Sequence, residues 1–209
     1  MNLIGHVLAA ARAHEAPRVL FGAMLPDLAH IAGLTLLRPT CADVVLGIQH
    51  HRAVDSIFHE LPRFAALRRE LRALLTARGV SKGPREAVAH AGVELLLDGA
   101  YIREEDASRA YVAAAGAARA LEPEEAGWPS REGYIVLVGR LTDPTLPAHY
   151  ADVDRVTDML VRVLARRPRL RASEAEADAI RDELHEIQGR VLEQAEPILR
   201  DVIDRLGRS

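Results

Sequence analysis

The chain has one cysteine, Cys41, in 209 residues, so no disulfide can form within it. That usage suits a reducing compartment, and the expected location is the cytoplasm. Aromatic residues make up only 4%, so the core must be built mainly from Leu, Val, Ile and Ala. No sign of charge dominates: 27 Lys and Arg stand against 30 Asp and Glu, a formal net charge of -3. Such a balance gives no overall basic field, and no nucleic-acid partner is expected. No apolar run reaches the roughly 20 residues that a membrane-spanning helix needs, so no membrane span is expected. The opening MNLIGHVLAAARA has no Lys or Arg ahead of its apolar run, and His6 interrupts that run. It reads as a helix retained in the mature protein rather than as a signal peptide.

Apolar residues amount to 49% and charged residues to 27%, an ordinary balance for a folded chain and far from the profile of disorder. At this length one domain spanning 1–209 is expected. Richness in Ala, Leu, Arg and Glu favours helix over sheet. Helical patterning covers residues 2–14, then RVLFGAMLPDLAHIAG, where Pro26 should kink or interrupt the helix just before Asp27. A long element from about Ala42 to Arg78 should break at Pro62, and RGVSKGP reads as a loop. A further helix should start near Pro84 and run through REAVAHAGVELLLDGAYI. Residues 105–121 are Ala-rich and helical, LEPEEAGWPSREG reads as a loop, and YIVLVG is assigned to helix because no partner strand is visible. Beyond the turn-rich LTDPTLPAHY comes a helix over about 151–166. The last element carries Ile180, Leu184, Ile187, Val191, Ile198, Val202 and Leu206 at three-, four- and seven-residue spacing, one long amphipathic helix. Its spacing allows it to close the core or to pair with a second copy in a homodimer. The whole reads as a single all-α helical bundle.

GIQHHRAVDSIFHE, residues 47–60, puts three histidines and two acids into one helical stretch. With His51 as zero on a helix, Val44 falls at about 20°, Ile48 at about 60° and Phe58 at about -20°. Asp55 falls at about 40° and His59 at about 80° in the same frame. His51 and Asp55 therefore sit in the middle of the apolar face, while Gln49, Ala53, Ser56 and Glu60 take the solvent side. Burying a carboxylate and an imidazole is costly unless they pair or bind metal.

His90, Glu94 and Asp98 form a second stripe, at i, i+4 and i+8 on a helix apolar nearly all round. Two such stripes facing each other would supply mixed His and carboxylate ligands, a set suited to Mn, Fe, Zn or Mg. His6, set among Leu3, Val7 and Ala10, and Asp27 after Pro26 are the isolated polar groups that could join them. Each also has a plain structural reading: His6 as a hydrogen-bonded core histidine, His51 with Asp55 as a self-satisfying i, i+4 pair, Glu94 and Asp98 as partners of arginines. The coincidence of several inward polar groups in one small core favours a site.

The motifs MNLIGH, GAMLPDL, GIQHHRAVDSIFHELP and RRPRL resemble, in that order, those of the acyl carrier protein phosphodiesterase family, distant relatives of the HD-type metal phosphohydrolases. The resemblance spans residue 1 to about 170 and implies an HD-domain-like helical fold. It also implies hydrolysis of the phosphodiester joining 4'-phosphopantetheine to a serine of holo-acyl carrier protein, with a divalent metal such as Mn. The matching positions are His6, Asp27, His51, Arg52, Asp55 and, at the later aspartate, Asp98; Glu94 stands where aspartate is usual. Leu8, Gln49, His59 and Gly99 depart from the pattern, and His50, His59 and His90 could compensate by rearranging the ligands.

The expected roles follow. His6, Asp27, His51 and Asp98, with His50 and His90 in reserve, would be metal ligands. Asp55 would orient His51 or ligate too, Glu94 or His59 would handle protons, and Arg52 would contact phosphate. The basic run Arg63, Arg68, Arg69, Arg72, Arg78, Lys82 and Arg85 could steer an acidic carrier protein, or be a solvated face balanced by Glu70 and Glu86. A second basic patch runs through Arg162, Arg166, Arg167, Arg169 and Arg171. Three classes stay open: a phosphodiesterase of phosphopantetheine compounds, an HD-like hydrolase of another phosphoester, nucleotide or lipid, and a non-catalytic helical binding protein.

Overall fold

The computed structural model describes residues 1–208, and all regular structure among them is helical. The order is α1 (Leu3–Ala11), α2 (Pro17–Ala32), α3 (Ala42–Phe58), α4 (Pro62–Ala77), α5 (Lys82–Tyr101), α6 (Glu105–Arg119), α7 (Pro123–Ala126), α8 (Arg131–Leu141), α9 (Leu146–Tyr150), α10 (Val153–Leu164) and α11 (Glu174–Leu206), with a single 3-10 turn at Pro168–Leu170. None of these helices is long and apolar enough to cross a membrane.

Short, apolar α1 lies at the centre, against α2, α3, α5 and α6. Leu3 to Ala10 are all buried, as expected of a helix that is apolar on every side. His6 is thereby carried into the core. α2 and α3 run against each other at a glycine contact: a Cβ on Gly47 would stand 2.2 Å from the Val19 carbonyl oxygen, and one on Gly22 2.5 Å from that of Val44. Only hydrogen fits at either position, and the close approach is what brings Asp27 of α2 beside His51 of α3.

Three expectations need correcting. Of the kink or interruption expected just before Asp27, the interruption does not occur: α2 continues through Pro26 to Ala32. The proline forfeits one bond, to the Gly22 carbonyl, while the buried Val19, Phe21, Met24, Leu25 and Leu28 hold the segment helical on both sides of it. The stretch expected as a loop after Leu121 contains the one-turn α7, closed by a capping box between Glu122 and Glu125. The turn-rich stretch ahead of Ala151 likewise folds into α9.

α11 is 33 residues long and starts at a capping box between Ser173 and Glu176. Its Ile180, Leu184, Ile187, Val191, Ile198 and Val202 are all buried within the chain, against α1, α3, α4, α5 and α10. The periodic apolar stripe therefore closes the core. Tyr101, fully buried on α5, donates its hydroxyl to the Ala195 carbonyl at 3.0 Å and ties the two longest helices together.

Candidate metal centre

Helices α1, α2, α3 and α5 meet around Asp55, and the polar groups read from the sequence sort themselves about it. His6 Nε2 lies 3.1 Å from Asp55 Oδ1, and His51 Nε2 lies 3.4 Å from Asp55 Oδ2. The two imidazoles are stacked at 3.8 Å between centroids. Asp27 Oδ2 is 3.8 Å from His6 Nε2. Among the described residues, His6, Asp27 and His51 form one group whose ligand atoms all lie within 4.8 Å of one another. Asp55 closes that group on its solvent side, its side chain one-third exposed.

A second group of the same kind stands on the other flank of Asp55: His59, His90 and Glu94. His90 Nε2 lies 3.3 Å and His59 Nε2 3.9 Å from Glu94 Oε1, and His59 also comes within 3.7 Å of Asp55 Oδ1. The two imidazoles stack at 5.2 Å, and Phe64 packs edge-on against both. Each of these residues is legible as polar in the sequence, but their grouping depends on the C-terminal end of α3, which brings His59 to Glu94 and His90 of α5. The amino nitrogen of Met1 lies between the groups, 3.1 Å from Asp55 Oδ1 and 3.4 Å from Glu94 Oε1. No sequence pattern announced that position, where a cationic nitrogen is flanked by two carboxylates.

The bonding of the first group has a deficit that a cation would fill. His51 Nδ1 is 2.9 Å from the Ala23 carbonyl, which can only accept, so Nδ1 carries the ring proton and Nε2 offers a lone pair. That lone pair faces the Asp55 carboxylate, an unfavourable meeting unless a proton or cation lies between them. His6 Nε2 has three acceptors around it, the Met1 carbonyl at 3.0 Å and the carboxylates of Asp55 and Asp27. One N–H cannot serve all three. His6 Nδ1 and Asp27 Oδ2 are buried with no hydrogen-bond partner, and such orphans are rare in folded interiors. The donor set, two imidazoles and two carboxylates, fits a borderline or hard divalent ion.

Burial dominates the protonation states. It lowers the His6 ring to about 3, so that imidazole is neutral and able to ligate. Burial also pushes the Asp27 carboxyl well above its usual range, and a bound cation would reverse that. For Asp55 burial works upward too, but a proton lying between its oxygens and the His51 and His6 Nε2 atoms, the place a cation would take, outweighs it and holds the carboxyl below the usual range. Glu94 is likewise held low, where the His90 bond outweighs burial. Burial lowers His59, leaving a neutral imidazole beside Glu94.

Comparison with family models, with curated proteins and with solved structures finds no match.

The remaining expected site residues lie apart. Asp98 is fully buried, and its two oxygens accept from the backbone N–H groups of Gly5 at 2.9 Å and Ile4 at 3.0 Å. It caps the N-terminus of α1 from another helix and belongs to neither ligand group. His50 turns to the opposite flank of α3, edge-on to His14 at 5.1 Å, with Nε2 buried and unpartnered. Arg52 is exposed on α3 and lies about 20° around the helix from His59 by the 100° rule. It has no ion pair among the described residues. Of the departures from the family pattern, Leu8 is in the core and Gln49 faces solvent. Gly99 has a steric reason: a Cβ there would stand 2.1 Å from the Tyr150 carbonyl oxygen.

Four of the seven cations in the basic run of α4 and its loop have ion pairs. Arg63 pairs with Asp201, Arg72 and Arg85 with Glu86, and Arg78 with Asp182 and Glu183. Arg68 lies over the Phe64 ring.

Proposed function

We propose that the protein is a metal-dependent hydrolase of phosphodiesters, with the 4'-phosphopantetheine arm of a holo-acyl carrier protein as its substrate and Mn as the most suitable ion. The observation that carries the reading is the buried convergence of His6, Asp27 and His51 on Asp55, with two orphaned polar atoms and an imidazole lone pair aimed at a carboxylate. Those four residues would hold the ion, which when bound would polarise a phosphoryl oxygen and make a nearby water more acidic. The resemblance to the acyl carrier protein phosphodiesterases supports the substrate, and with it an HD-like ancestry.

The protein's own groups divide the remaining tasks. His51 is oriented by the Ala23 carbonyl, an outer contact that fixes the tautomer a ligand needs. The neutral His59 imidazole, beside Glu94, accepts a proton at Nε2 from the attacking water. Water oxygen bonds to phosphorus, the bond from phosphorus to the serine oxygen breaks, and His59 returns the proton to that oxygen. The products are apo-carrier protein and 4'-phosphopantetheine. Arg52, exposed and unpaired on the His59 side of α3, contacts the non-bridging phosphate oxygens.

A second reading, hydrolysis of a different phosphoester, is favoured by the basic run of α4 and its loop: Arg63, Arg72, Arg78 and Arg85 are already engaged by acids of the chain, which weakens the case for an acidic docking partner. Intact-mass measurement of holo-acyl carrier protein incubated with the protein and Mn2+ separates the readings. Loss of the phosphopantetheine mass, abolished by a chelator, is expected. An unchanged mass alongside Mn-dependent cleavage of a generic phosphodiester would select the second reading. Unchanged mass with no cleavage of either substrate would leave a binding protein.

A further inference from the structure

A second concavity, whose lining includes none of the residues grouped about Asp55, has a volume of about 920 Å3. It lies where the end of α2, α8, α9 and α10 come together. That volume falls within the range of small-molecule sites. Its floor and walls are aliphatic, from Leu28, Ile31, Val136, Leu137, Met159 and Val163. Three of these are unusually exposed for their type, Ile31 at 41%, Val136 at 51% and Val163 at 38%. Apolar side chains left open together around a concavity mark a binding surface more often than chance.

The rim is cationic in a particular way. Arg140, in the last turn of α8, and Arg162, in the last turn of α10, both line the cleft, and neither has an ion pair or a side-chain hydrogen bond among the described residues. Arg166 reaches only the Ile31 carbonyl, at 3.5 Å. Of the other charges on the lining, Asp158 is taken by Arg181 at 2.8 Å, and Arg155 is shared between Asp152 and His149. Asp143 accepts from Thr145, and Glu132 stands at the α8 entrance. Among the described residues, arginines without an ion pair occur elsewhere on the surface too, Arg52 and Arg69 among them, but Arg140 and Arg162 stand beside exposed aliphatic side chains around a concavity, and Arg167 and Arg169 continue the cationic surface beyond Arg166.

From this juxtaposition we infer that the cleft is a binding site for an amphipathic anion, a ligand with one unbranched apolar chain and a phosphate or carboxylate head. The chain lies along the aliphatic floor, where its burial drives binding, and the head is held by Arg140 and Arg162 through charge-assisted hydrogen bonds. The inference does not rest on the metal centre. The lining of the cleft includes none of His6, Asp27, His51, Asp55, His59, His90 and Glu94, although Leu28 follows Asp27 in sequence.

The test is calorimetric titration of the full chain with dodecyl phosphate and with dodecanoate below their micelle concentrations. Dodecyl maltoside and inorganic phosphate serve as controls, and vesicles of phosphatidylglycerol form a separate arm. Saturable 1:1 binding of either anion is expected, with dodecyl maltoside at least about tenfold weaker because it forfeits the charge-assisted bonds. The exposed double variant Arg140→Gln, Arg162→Gln should lose about tenfold for the anions and little for the maltoside, and Val136→Glu should weaken both. Binding of vesicles in place of the monomeric amphiphiles would place the ligand in a lipid surface and overturn the enclosed site proposed here. Equal affinity for anionic and neutral amphiphiles, or no effect of the arginine variant, would overturn the role of the rim. Absence of saturable binding would overturn the site itself. Mn2+ uptake measured on the same arginine variant should be unchanged, which keeps this outcome separate from that of the metal centre.

Discussion

Replacing Asp98 distinguishes a cap from a metal ligand. Its two carboxylate oxygens accept from the backbone N–H groups of Ile4 and Gly5, at a site with no access to solvent. Asp98→Ala removes both acceptors and leaves two buried donors unpaired. Burial raises the Asp98 carboxyl to about 7, so it is part ionised at neutral pH; at about 1–3 kcal/mol for each hydrogen bond lost, partly offset by release of the buried group, the net loss should be about 2–4 kcal/mol. That is a large fraction of a typical domain stability. Asp98→Asn keeps one acceptor but points an amide N–H at a backbone N–H, and should cost about 2 kcal/mol. Urea unfolding followed by circular dichroism should show a lower midpoint with an unchanged slope. For a chain of this size each kcal/mol lowers the melting temperature by about 2–4 °C. Because Asp98 belongs to neither ligand group, the folded Asp98→Asn protein should still bind Mn2+ with wild-type stoichiometry. Loss of Mn2+ binding from an Asp98→Asn protein of undiminished stability would refute the assignment of Asp98 as a cap.

Gly47→Ala should destabilise by about 3 kcal/mol, since the new methyl must push α2 away from α3. Because the same contact sets Asp27 beside His51, Mn2+ affinity should fall with it; thermal melts unchanged from wild type would show that the helices can part freely. His50 contributes a pH dependence. Burial and the His14 ring lower it to about 4 from 6.5, so folding favours the neutral ring, and stability is full above pH 6.5 and falls as the pH drops toward 4. A shift of this size on a half-buried ring amounts to about 1–2 kcal/mol after solvent screening. His50→Gln should flatten that part of the stability profile, and an unaltered acid slope would contradict the burial argument.

The sequence made one half of the centre legible and obscured the other for a geometric reason. The helical projection puts His51 in the middle of an apolar face, and it is 5% exposed. On α5, His90, Glu94 and Asp98 read as one stripe, but eight helical residues span about 12 Å. The stripe is long enough to serve two purposes: His90 and Glu94 meet His59, while Asp98 reaches the start of α1. His50, adjacent to His51 in sequence, faces about 100° away from it, so its neighbour's role did not carry over. Pro26 misled because local propensity was weighed without the packing that holds α2 on both sides. The apolar stripe from Ile180 to Val202 left open whether α11 closes the core or pairs with a copy, and burial against α1, α3, α4, α5 and α10 decides for the core. The cleft is assembled from segments between Leu3 and Arg166 with no shared period, so no pattern in the sequence could have announced it.

Mn2+ titrated calorimetrically into metal-free protein tests the central claim most directly, with His51→Ala and Asp27→Asn run beside the wild type. Saturable uptake of one ion per chain is expected, lost in both variants while circular dichroism shows them folded; a ratio of two would make His59, His90 and Glu94 ligands of a second ion and take His59 out of proton handling. No uptake by the wild type, or uptake undiminished in both variants, would contradict a metal centre built around Asp55.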